Sequence, residues 1–98
     1  MARYLVLWEV DQSRVPVDAK ERSGAWSVLM AMVRQEREAG MIKDWGTFVG
    51  EINGFAVYEG TEVEVGSALM KYAPYVSFKV HPLASESQTN EIVKSLSG

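Results

Sequence analysis

An α+β domain with one four-stranded antiparallel sheet in βαββαβ order is what the sequence predicts, on three observations. Four short runs are rich in β-branched and aromatic residues, and the last of them alternates with a period of two. Two longer segments carry apolar residues at helical spacing, each opened by a capping pattern. Asn53-Gly54 separates the two middle extended runs, as in a tight hairpin.

The first run, Arg3 to Asp11 (RYLVLWEVD), is too short and too β-branched for a helix and predicts strand one. Its apolar residues occupy both parities, Leu5 and Leu7 on one side and Tyr4, Val6, Trp8 and Val10 on the other, as in a strand covered on both faces. Gln12 to Val17, with Pro16, reads as a loop. Asp18 and Glu21 then have capping-box spacing, with Asp in place of Ser or Thr. The helix they open carries Trp26, Leu29, Met30, Val33 and Arg37 as its stripe and stops at Gly40, while Gly24 costs it about 1 kcal/mol against alanine.

Ile42 to Glu51 and Phe55 to Glu59 are the expected strands two and three, joined by a type I′ turn at Asn53-Gly54, where both residues tolerate positive φ. Gly46 and Gly50 within strand two point to a bulge or bend near a sheet edge. Thr61 and Glu64 form a second capping pattern, and Val65, Ala68, Leu69 and Tyr72 give helix two, which ends before Pro74. Tyr75 to Leu83 alternates Val76, Phe78 and Val80 against Tyr75, Ser77, Lys79 and His81, an edge strand closed by Pro82. Ser85 and Gln88 open a short C-terminal helix whose Ile92, Val93 and Leu96 can dock on the domain or on a neighbour.

This order is that of a ferredoxin-like sheet, with strands one and three central and two and four at the edges. Right-handed crossovers place both long helices on one face and leave the other bare. Because strand one is apolar on both sides, a second layer is expected, and an identical face on another copy is its simplest source, giving a homodimer or a higher assembly built from dimers.

Composition narrows the function. With 98 residues the chain is a single domain, 1-98, and its 47% hydrophobic and 23% charged content is that of a globular protein. It has no cysteine, which excludes disulfides, thiolate metal sites and a cysteine nucleophile and suits a reducing cytoplasm. No apolar run reaches the length of a membrane span and no export signal is visible, so no membrane partner is expected. A net charge of -3 with scattered basic residues argues against a nucleic-acid partner. Gly54-Phe55-Ala56-Val57-Tyr58 echoes the Gly-aromatic motif of RNA-recognition domains, but Asn53 stands where a basic residue is needed and Val57 lacks a stacking ring.

The phrases YLVLWEVD, INGFAVYEG and YAPYVSFKVHPL, with a proline after strand four, are spread along nearly the whole chain. Together they resemble the dimeric α+β-barrel superfamily, which includes muconolactone isomerase-like proteins, small antibiotic-biosynthesis-type monooxygenases and uncharacterised bacterial domains. The resemblance implies a homodimer whose sheets face one another around a pocket, with chemistry that differs among members. It includes no catalytic motif, and fold-level likeness does not select a reaction. Heme-oxygenating relatives would call for a histidine on helix two; none is present, and no cofactor is expected.

Candidate residues follow from their chemistry. His81 is the single histidine and Glu9 a strand carboxylate, so these are the candidate catalytic residues as acid or base; the plainer reading of each is an exposed strand-end position. Asp44 and Glu59 are carboxylates of the same kind. One histidine and dispersed carboxylates have no metal-ligand spacing, so no metal is expected. Trp8, Trp45 and Tyr58 offer flat apolar area with polar handles, and Lys79 and His81 can orient a polar group, giving the candidate ligand-binding set; Trp26 belongs to the helix stripe. The expected activity is binding of a small apolar or aromatic organic molecule in a dimer-associated cleft, with cofactor-independent isomerase or monooxygenase turnover left open. The alternative is a non-catalytic structural or regulatory dimerisation module.

Overall fold

β1 (Arg3–Val10) is hydrogen-bonded on both sides, to β3 (Asn53–Glu59) and to β4 (Val76–Leu83), both antiparallel. β2 (Ile42–Thr47) pairs with the far side of β3, so the sheet order is β2-β3-β1-β4. The computed structural model describes residues 2–50 and 52–98. The α+β class, the four-stranded antiparallel sheet and the central position of strands one and three are as the sequence predicts, a layout compatible with a ferredoxin-like fold.

α1 (Ala19–Glu38) and α2 (Glu62–Met70) begin where their caps place them. Asp18 accepts from the Glu21 amide, and Thr61 and Glu64 close a reciprocal box. Each bond satisfies an amide that the first helical turn leaves without a partner. α1 ends at Gly40, whose φ of +83° is the left-handed conformation that stops a helix. Both helices cover one face of the sheet. The core there consists of Tyr4, Val6, Trp8 and Val10 of β1 with Ile42, Ala56, Tyr58 and Val76 of the other strands, closed by Val33, Val65, Ala68, Leu69 and Tyr72. The even parity of β1 therefore faces the helices, and Leu5 and Leu7 face away.

Four expectations are corrected. The turn between β2 and β3 is not at Asn53-Gly54. Both residues are extended within β3, Gly54 pairs with Trp8, and the chain reverses earlier, where Gly50 takes φ +82°. Gly54 is small for packing rather than for turn geometry: a Cβ there would meet the Gly46 carbonyl oxygen and lie 2.5 Å from Trp8 Cζ2. Strand two accordingly ends at Thr47, and its expected end, Glu51, lies outside the described residues. The bulge falls between Ile42 and Asp44 rather than at Gly46, which instead makes room for the Phe55 ring. On α1, Arg37 is exposed, and Glu36 turns inward with Trp26, Leu29 and Val33.

The C-terminal helix α3 (Glu86–Lys94) has the expected cap, Ser85 with Gln88, but buries no residue. Ile92, Val93 and Leu96 remain open, Leu96 at 85% exposure. The radius of gyration of 16.2 Å exceeds the roughly 13 Å of a compact chain this long, as expected of a domain with a projecting arm.

Candidate functional site

Strand register sorts the candidate residues onto opposite sides of the sheet. On the side away from the helices, one row runs Asp44, Val57, Leu5, His81 and the next Gly46, Phe55, Leu7, Lys79. Phe48 extends the second row, its ring 6.5 Å from that of Phe55. Leu5, Leu7, Phe55 and Val57 are half-buried among their own neighbours, with no helix above them. Arg3 and Glu59, opposite each other in the register, pair at 3.1 Å at one end of this face, and the Arg3 hydrogen bond holds the Glu59 carboxyl below its usual range. An apolar centre with charged borders is thus presented by all four strands.

Lys79 and His81 belong to this open face and are exposed. Glu9 shares it, but in register it lies four residues from His81's partner Leu5, about 13 Å along the strand. The two catalytic candidates are therefore not brought together as an acid-base pair. Of the residues that echo an RNA-binding motif, Phe55 presents its ring here while Tyr58 points inward.

Trp8, Trp45 and Tyr58 lie on the opposite, helix-covered side. Trp8 is 6% exposed, stacks on Trp45 at 5.3 Å and 9°, and meets Trp26 edge-on at 6.3 Å. Its indole nitrogen donates to the Phe55 carbonyl at 3.1 Å, so its polar handle is already used. The space left among these rings, α1 and the sheet is about 30 Å³, room for a water molecule and not for an organic ligand.

Glu36 is a polar feature of this interior that sequence reasoning missed. Its Oε1 accepts from the hydroxyls of both Tyr58 and Tyr72 at 2.7 Å, tying α1 to β3 and to the chain just after α2. Burial, followed by the bond to Glu36, pushes both phenols well above the ordinary tyrosine range, so they stay neutral donors. The spacing held a signal, since Glu36 continues the stripe of Trp26, Leu29 and Val33, but a lone carboxylate at helical spacing reads as a solvated position.

A second missed region is a cleft of about 320 Å³ beside the N-terminal half of α1. Val10, Val15, Trp26 and Leu29 provide apolar walls, and Arg14, Arg22 and Tyr75 add polar groups. The loop from β1 shapes it: Asp11 caps a 3-10 turn at Gln12–Arg14, and Arg22 Nη1 donates to the carbonyls of Pro16 and Val17 at 3.4 and 3.0 Å.

Against known proteins, no family model matches the chain and no curated protein shows significant similarity to it. No described helix is long and apolar enough to cross a membrane.

Proposed function

We propose that the protein acts as a homodimer of the dimeric α+β-barrel type, in which two copies set their open sheet faces together around a small, largely apolar organic molecule. The observation that carries this reading is the open face, where Leu5, Leu7, Phe55 and Val57 form an apolar centre that no described helix covers. Soluble monomers seldom leave such a patch to water. Charge supports a second copy as the cover. Lys79 and His81 sit on the β4 edge and Asp44 on the β2 edge, so a two-fold axis along the strands brings the edge that carries Lys79 and His81 over the edge that carries Asp44. The exposed Ile92, Val93 and Leu96 of the C-terminal arm supply further apolar area for the partner.

In this reading Lys79 and His81 orient a polar group of the ligand while the leucines and Phe55 take its apolar part. Trp8, Trp45 and Tyr58 act from behind, by fixing the sheet. Turnover requires His81 or a carboxylate within hydrogen-bond reach of a substrate proton, and the separation of Glu9 from His81 means that the two do not act as a pair on one proton. The space among the interior rings holds no organic ligand, so the reading rests on the open face, and a structural or regulatory dimer is its non-catalytic alternative.

The experiment is analytical ultracentrifugation combined with thermal shift against a panel of aromatic and aliphatic metabolites. Wild type should sediment as a dimer and gain stability with at least one ligand, and Leu7→Lys should lose both while keeping its helical signal. A wild-type monomer ends the reading. A dimer that no ligand stabilises leaves the structural alternative.

A further inference from the structure

We infer that the cleft beside α1 is a second binding site, which takes a small amphipathic carboxylate independently of whether the sheet faces pair. Its volume of about 320 Å³ is at the lower end of the roughly 300–1,000 Å³ of small-molecule pockets, which suits a single ring or a short chain. The walls choose the apolar half of that ligand: Val10, Val15 and Leu29 line the cleft together with Trp26, whose ring also meets Trp8 edge-on. The polar half is set by sign. Arg14 and Arg22 both line the cleft, and among the described residues no acidic one does. Arg22 forms no ion pair among the described residues; one of its terminal nitrogens is committed to the Pro16 and Val17 carbonyls, and the rest of the guanidinium fork remains for a ligand.

Arg14 is less free, since its Nε lies 3.4 Å from Asp11 Oδ2. That pair is exposed, and such pairs contribute little, so a carboxylate within the cleft can draw the guanidinium away from it. The Arg14 guanidinium also sits 5.9 Å from the centre of the Tyr75 ring, which keeps the charge beside the cleft rather than out in solvent. An apolar chamber with two guanidinium groups and a phenol is selective for a carboxylate over its neutral amide, because a fork of N–H donors matches the carboxylate oxygens.

The test is an amide and indole NMR titration of the full chain with sodium phenylacetate, and with phenylacetamide as the neutral control, at constant ionic strength. The Trp26 indole and the Ala25 and Tyr75 amides should shift saturably with phenylacetate and bind it about tenfold more tightly than the amide. Arg14→Gln should weaken phenylacetate by about tenfold and leave phenylacetamide unchanged. Arg22→Gln also releases the loop carbonyls, so the steric variant Ala25→Phe serves as the second probe; Ala25 is exposed and lines the cleft, and this change should abolish the shifts while the Trp8 indole signal stays in place. Equal affinity for acid and amide, binding that survives Ala25→Phe, or no saturation by about 10 mM would overturn the inference. Cleft signals that follow protein concentration instead of phenylacetate would assign the cleft to a neighbouring copy and overturn it equally.

Discussion

The two faces of the sheet are built from the same strands, yet they solve different problems. On β1 the even residues Tyr4, Val6, Trp8 and Val10 disappear beneath the helices, Val6 completely, while Leu5 and Leu7 one position away stay at a surface. The covered face is packed within one chain: Trp8 stacks on Trp45, the Trp8 indole and the Tyr58 and Tyr72 phenols have partners, and the void among these rings is about 30 Å³. The open face is apolar at its centre and charged at its borders, as a surface waiting for a second layer is. In the proposed homodimer, a strand with apolar residues at both parities serves two separate burial events, one in folding and one in assembly.

The largest effect should come from cutting into the finished face. Trp8→Ala removes a ring that touches both other tryptophans, and truncation of a buried aromatic costs about 3–5 kcal/mol, a large part of a small domain's stability. Urea denaturation should show most of this loss, whereas Leu7→Lys on the other face should release a folded monomer. An unfolded Leu7→Lys chain, or a Trp8→Ala chain of unchanged midpoint, would erase the distinction.

The two neighbouring glycines sharpen the same contrast. A Cβ on Gly54 meets backbone and the buried Trp8 ring, which have little room to move, so Gly54→Ala should cost about 1–3 kcal/mol. A Cβ on Gly46 meets the edge of the Phe55 ring at 2.7 Å, on the open side, and that ring can swing. Gly46→Ala should cost less in chemical denaturation, and the reverse order would show that the open face is the more tightly packed.

A pH measurement probes the interior alone. Because burial raises both Tyr58 and Tyr72, the folded state favours their neutral forms. Their contribution is fully present below about pH 10, the ordinary tyrosine value, and is lost as pH climbs above it, by at most about 1.4 kcal/mol per pH unit for each phenol. The urea midpoint of wild type should fall more steeply between about pH 10 and 11.5 than that of a Tyr58→Phe/Tyr72→Phe variant. Parallel profiles would mean that neither phenol is held neutral. The smallest expected effect on the fold is removal of residues 86–98, since α3 buries nothing: the midpoint of a monomeric Leu7→Lys background should move by less than about 0.5 kcal/mol.

Local rules carried much of the fold. Asp18, Thr61 and Ser85 cap their helices as their spacing indicates, and strand order follows from the sequence of elements together with right-handed crossovers. What failed were positions where one residue type serves two purposes. Asn53-Gly54 resembles a turn because glycine permits positive φ, but here glycine is present because Trp8 leaves no space for a side chain; only the packed structure separates these causes. Glu36 was hidden for a similar reason, since the partners that let a carboxylate turn inward, Tyr58 and Tyr72, are 22 and 36 residues away. Of the candidate site residues, register puts Lys79 and His81 together and sends Trp8, Trp45 and Tyr58 to the other face, a division that depends on which parity of β1 meets the helices. The strand was legible in the sequence; its orientation was not, because both parities are apolar.

The central claim is that a second copy covers the open face, and sedimentation velocity on wild type and Leu7→Lys across a dilution from roughly 100 to 1 µM, the range in which weak pairs separate, tests it most directly. The account predicts twice the chain mass for wild type over most of that range and a folded single chain for Leu7→Lys at every concentration. A wild-type protein that sediments as a single chain throughout, or a Leu7→Lys variant that remains dimeric, would contradict it.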